Sequence, residues 1–138
     1  METDRFEQLV DEALEELPEQ FRLLMDNVQV VVEPWPTPEQ LRAVRLSRGT
    51  MLLGLYEGIP RPKRGISYGL VLPDKITIFQ GPIERLCQSE AEVRQQVLDT
   101  VIHEVGHHFG IGEERMAVLE AERHRRRQAG RTAGKSLE

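Results

Sequence analysis

Residues 89–114 read SEAEVRQQVLDTVIHEVGHHFGIGEE, and the rest of the chain can be read outward from them. Ser89 and Glu92 stand three apart, as a capping box at a helix start requires. Val93, Val97, Leu98, Val101, Ile102, Val105 and Phe109 follow at steps of three, four and one. At about 100° per residue they share one arc of a helix. His103 and His107 fall on the opposite side, one turn apart, so their imidazoles lie one above the other. Gly110 follows, and glycine adopts the left-handed conformation that ends helices. The stretch therefore predicts a long helix with an aliphatic face toward a core and two imidazoles toward a cleft.

The same residues carry a chemistry. His103-Glu104-x-x-His107 is the His-Glu-x-x-His pattern, in which two histidines bind zinc and the glutamate acts as general base. Glu104 is rotated about 100° from His103, so it can reach a metal-bound water without being a ligand. After the turn at Gly110 the chain can return a carboxylate to the metal. Glu113 lies six residues after His107, the third-ligand spacing of longer zinc-peptidase motifs, and carboxylate oxygen is an acceptable zinc ligand. Glu114 could serve instead, although the spacing favours Glu113. His108 points into the aliphatic arc and reads as packed, or as a support behind the ligands, not as a ligand itself. Asp99, one turn before His103, is either a solvated helix acid or a carboxylate holding an imidazole N–H.

The segment HEVGHHFGIGEERM (His103–Met116) resembles the active-site segment of the small bacterial zincin-like metallopeptidases, whose pattern is HExxHHFGI, a small residue, then Asp and Glu. GLYEGIP (Gly54–Pro60) and LPDKITIFQGPI (Leu72–Ile83) are also similar to stretches upstream of that motif in the family. The resemblance spans about Leu52 to Glu120. It departs at Glu113, where the family more often has the shorter Asp. The resemblance implies a compact minimal zincin fold, zinc as the metal and a peptidase activity, but no particular substrate.

The remaining composition narrows the class. A chain of 138 residues is expected to form one domain, here residues 1–127, with residues 128–138 as a disordered tail. The apolar share of 39% and charged share of 30% suit a soluble globular protein. No apolar run approaches membrane-spanning length, and no secretory signal pattern opens the sequence, so a cytoplasmic location is expected. The single Cys87 cannot form an internal disulfide. Net charge −5 argues against general nucleic-acid binding. Arg123, Arg125, Arg126 and Arg127 form one basic cluster, which could contact RNA or an acidic partner but reads first as a solvated helix end.

Along the chain, Phe6, Leu9, Val10, Ala13, Leu14 and Leu17 predict an amphipathic first helix stopped by Pro18. Phe21–Met25 adds a turn, and Val28, Val30, Val31 and Val32 predict a strand. Trp35 sits in a proline-rich connector, and a capping box at Thr37 and Gln40 predicts a short helix to about Ser47. Met51–Tyr56 and Lys75–Phe79 read as strands, Gly58–Gly65 as a mobile basic loop, Tyr68–Leu72 as extended, Pro82–Leu86 as a short helix and Glu113–Arg127 as a last helix. The fold class is α+β: a small twisted mixed sheet packed on helices, with the motif helix beneath one face. Ile76–Phe79, just before the motif helix, is the expected cleft edge, where an extended peptide could pair.

The expected function is a zinc-dependent metallopeptidase. Zn²⁺ would sit on His103, His107 and Glu113 with water in the open position, and Glu104 would move that water's proton to the leaving amine. Tyr56 or Tyr68 could steady the oxyanion. The expected partner is a peptide or protein substrate, with neither a membrane nor nucleic acid. One rival is a metal-dependent endoribonuclease, which would use three histidines where this chain has Glu113. Another is a non-catalytic zinc-binding interaction module, in which Glu104 would have no use.

Overall fold

The computed structural model describes residues 1–44, 51–58 and 72–111. Within them the elements run α1 (Thr3–Glu15), α2 (Glu19–Leu24), β1 (Val28–Glu33), α3 (Pro38–Ala43), β2 (Gly54–Glu57), β3 (Asp74–Phe79), α4 (Gln80–Leu86) and α5 (Glu90–His108). The architecture is α+β with a mixed sheet of three strands ordered β1-β3-β2. The basic loop beyond Gly58, most of Tyr68–Leu72, the expected last helix and the tail lie outside the described residues.

α5 forms as its periodicity predicts. Ser89 Oγ accepts the Glu92 N–H at 3.1 Å, while the Glu92 carboxylate reaches back to the Gln88 N–H, one residue beyond the expected partner. Val93, Val97, Leu98, Val101, Ile102 and Val105 are buried in the core. Phe109 is not, being 43% exposed. The helix has ended at His108 by then, so the angular argument no longer applies. Gly110, with φ of 68°, closes the helix: its N–H donates to the His107 carbonyl, and the Ile111 N–H donates to the Gly106 carbonyl. This pair of bonds is the Schellman arrangement, and Ile111 folds back against the core as its hydrophobic contact.

α1 lies against α5 and contributes Phe6, Leu9, Val10 and Ala13 to the same core. Phe21 of α2, with Ile76 and Ile78 of β3, completes it. At the rim, Arg5 makes two bonds to Glu90, and Arg94 pairs with Glu12 at 2.9 Å. These contacts tie α1 to the start of α5. The capping box at Thr37 and Gln40 is present and starts α3, which buries none of its residues.

The sheet overturns one expectation. β3 is not the cleft edge; it is the central strand, parallel to β1 and antiparallel to β2. Ile76, Thr77, Ile78 and Phe79 are all fully buried, so both faces of β3 are covered. A run apolar on both faces belongs in the middle of a sheet, where neither its side chains nor its backbone meet water. Among the described residues, the strand left on the outside next to α5 is β2, short and carrying Gly54 and Glu57.

Candidate active site

α5 and β2 run in the same direction and meet in register. Thr100, Glu104 and His108 form an i, i+4, i+8 ridge, which rises about 6 Å per step. Alternate strand residues rise a similar distance. Three matched contacts result. A Cβ on Gly54 would stand 2.6 Å from Thr100 Cγ2. The Tyr56 backbone N–H faces the Glu104 carboxylate closely enough to favour its charged form. A Cβ on Gly58 would stand 3.4 Å from His108 Cε1. Gly54 is thus the residue that lets the helix approach the strand, a role its sequence position did not reveal.

The direction of the Tyr56 N–H follows from the strand register. Phe79 N–H donates to the Leu53 carbonyl at 3.0 Å, and Leu55 pairs with Thr77. In an antiparallel ladder the bonded rungs alternate, so the N–H and C=O of Gly54 and Tyr56 point away from β3. Glu104 therefore meets the side of β2 that faces away from β3. It is half-buried, and burial pushes its carboxyl above the usual carboxylate range; the Tyr56 N–H and then His103 and His107 pull the other way.

His103 and His107 are exposed on the face of α5 opposite the core, with ring centroids 4.3 Å apart. That separation suits two ligands of one ion. No group of three potential ligands occurs among the described residues, and Glu113 and Glu114 both lie outside them. Imidazole, imidazole and a carboxylate beyond the Gly110 turn are a donor set that fits zinc. Asp99, one turn earlier, accepts from Gln95 Nε2 at 2.9 Å.

His108 does not enter the aliphatic core. It is 36% exposed and stacks on the Tyr56 ring, with centroids 3.8 Å apart and planes 18° from parallel. Phe109 meets both rings edge-on. The Tyr56 hydroxyl donates to Asp74 Oδ2 at 2.7 Å, and His108 Nε2 lies 3.8 Å from the same oxygen. Burial, then the bond to Asp74, raises the Tyr56 phenol above its ordinary value. The hydroxyl that the sequence offered as an oxyanion donor is thus committed to a carboxylate. Tyr68 lies outside the described residues.

Two other features stand away from this cleft. Trp35 covers Gly81 at the far end of the sheet and carries the Arg85 guanidinium 4.9 Å above its ring. Cys87 is half-buried, and its thiol is raised, chiefly by burial, which disfavours a nucleophilic role.

Comparison with known proteins agrees with the geometry. The zincin-like metallopeptidase family matches residues 25–123. The chain belongs to that family. No match was found among curated proteins. Among solved structures, the chain is similar to a conserved hypothetical protein from Thermo thermophilus, with 26% identity and a TM-score of 0.52. That similarity covers 79% of this chain and 94% of the other. No helix among the described residues of this zincin-like protein is long and apolar enough to cross a membrane.

Proposed function

We propose that this zincin-like protein hydrolyses peptide bonds, with zinc held by His103, His107 and Glu113 and with Glu104 as general base. The observation that carries the reading is the setting of Glu104. It adjoins the two exposed imidazoles, is partly withdrawn from water, and is held at the outer edge of β2. Zinc bound there would supply a Lewis acid and lower the pKa of a water molecule. Glu104 would take the proton from the attacking water and deliver it to the leaving amine. Burial raises the carboxyl's proton affinity, which suits a group that must hold a proton between those two steps.

β2 supplies a place for the substrate. The Gly54 and Tyr56 carbonyls turn away from β3, while the Tyr56 N–H is turned to Glu104, so an extended peptide could pair with those carbonyls and lie across the imidazole face of α5. This moves the substrate-pairing role from β3, where the sequence suggested it, to β2. A substrate held chiefly through its backbone would be selected only modestly by its side chains.

The test is metal analysis of the purified protein together with cleavage of a peptide library. About one zinc per chain and zinc-dependent cleavage lost in Glu104→Gln are the expected results. Cleavage of RNA but no peptide, dependent on both zinc and Glu104, would replace the peptidase reading with the endoribonuclease.

A further inference from the structure

A general base on a helix is only as well placed as the groups that hold its carboxylate. Here the holder is the backbone of β2, which among the described residues is hydrogen-bonded to another strand on one side, that of β3. Two contacts hold the Tyr56 side chain, and a third anchors its partner Asp74. The ring stacks on His108 at 3.8 Å. The phenol donates to Asp74 Oδ2 at 2.7 Å. Asp74 itself opens β3, and its N–H donates to the Asn27 carbonyl at 3.0 Å, which ties it to the start of β1. The register explains the reach. Tyr56 pairs with Ile76, so Asp74 is its diagonal neighbour on the same face, a distance that aromatic side chains can span.

We propose that Asp74 and Tyr56 are positioning residues for Glu104: Asp74 fixes the Tyr56 side chain, and the Tyr56 backbone N–H thereby holds the Glu104 carboxylate at the cleft. The brace runs from the sheet core to the general base. It requires the phenol as a tether, not as a donor to substrate. His108 completes it from the helix side, clamping the ring against the same turn of α5 that bears His107. In its catalytic consequence the proposal rests on the peptidase reading; in its geometry it does not.

Amide hydrogen exchange of the full chain tests the geometry without any substrate. In Tyr56→Phe and Asp74→Ala the position-56 amide should exchange about tenfold faster, as expected when a hydrogen bond is weakened. The amides of Leu55 and Leu98 should keep their protection. Asp74→Asn retains an acceptor oxygen and should stay closer to wild type than Asp74→Ala. An unchanged position-56 amide in both variants, or an equal rise at Leu98, would overturn the brace. Where a peptide is cleaved, Asp74→Ala should keep its zinc, lower kcat about tenfold and leave KM within about twofold, since misplacement of a catalytic group acts on the reaction step. In a Glu104→Gln background the same substitution should cost nothing further; an additive loss would show that Asp74 acts elsewhere. If the wild-type protein cuts no peptide at all, the peptidase reading fails alone and the amide comparison still decides the brace.

Discussion

The Tyr56 backbone N–H faces the Glu104 carboxylate, so β2 and the motif helix meet at these two residues. The contact draws the Glu104 carboxylate toward β2, while His103 and His107 stand on the exposed face of α5. A glutamate at this position could have two properties, metal binding and proton transfer.

Glu104→Gln separates them experimentally. The amide retains an oxygen to accept the Tyr56 N–H, so zinc content should stay near wild type. Peptide hydrolysis should fall by at least about 10²-fold, the lower end for a lost acid–base group. Hydrolysis at the wild-type rate by the purified variant would sink the general-base assignment.

The same substitution has a pH signature in metal-free protein. The folded Glu104 carboxyl is raised, chiefly by burial, so the native state holds its proton at pH values where the unfolded chain has released it. Stability then falls as pH rises from the ordinary carboxylate value through the folded one, and the penalty is fully present above both. Glu104→Gln should therefore be at least as stable as wild type at neutral pH, with the difference closing near pH 4, below the ordinary carboxylate value of about 4.3. Thermal melts across that range check it; an advantage that grew on acidification would reverse the sign and refute the burial argument.

His103→Ala and His107→Ala should each abolish stoichiometric zinc. Their rings project from the exposed face of α5, so neither change should unfold the helix. Metal analysis after chelator challenge is the measurement, and full occupancy in either variant would mean that the ligands are misassigned.

For the third ligand, Glu113→Gln should weaken zinc much more than Glu114→Gln. The spacing from His107 and the turn at Gly110, whose φ is 68°, motivate that order. Competition with a zinc indicator would measure it, and the opposite order would transfer the role to Glu114.

Gly54→Ala should destabilise the protein by about 1–3 kcal/mol, the usual range for overpacking. The added Cβ would stand 2.6 Å from Thr100 Cγ2 and 3.2 Å from the Thr77 carbonyl oxygen. Thr100→Ser removes the obstructing methyl while keeping a hydroxyl to donate to the Gln96 carbonyl. Denaturant unfolding of the double variant should recover most of the loss. If the single substitution proved neutral, the close approach of β2 and α5 would be wrong.

Much of α5 was legible because its information is local. The Ser89 cap, the arc from Val93 to Val105, the opposed His103 and His107, and the turn at Gly110 all follow from residues within one or two turns of each other. Helical periodicity and glycine's left-handed conformation suffice to read them. The first helix was legible for the same reason, through Phe6, Leu9, Val10 and Ala13. Phe109 marks where such a reading ends, since an angular projection holds only while the helix continues.

The sheet was legible as strands but not as an order. A run such as Ile76–Phe79 announces burial, yet nothing local says which strands will flank it, and the expected edge proved to be the centre. The site's supports share that character. Tyr56 and Glu104 are 48 positions apart and Tyr56 and Asp74 are 18 apart. Gly54 gains its meaning only from Thr100. The helix, its cap and the chemical types on its two faces were set by the residues in order along the chain, because they depend on short-range stereochemistry. Which strand meets Glu104, and what braces that strand, came from tertiary packing, because long-range pairing depends on how the buried surfaces of β3 and α5 fit together.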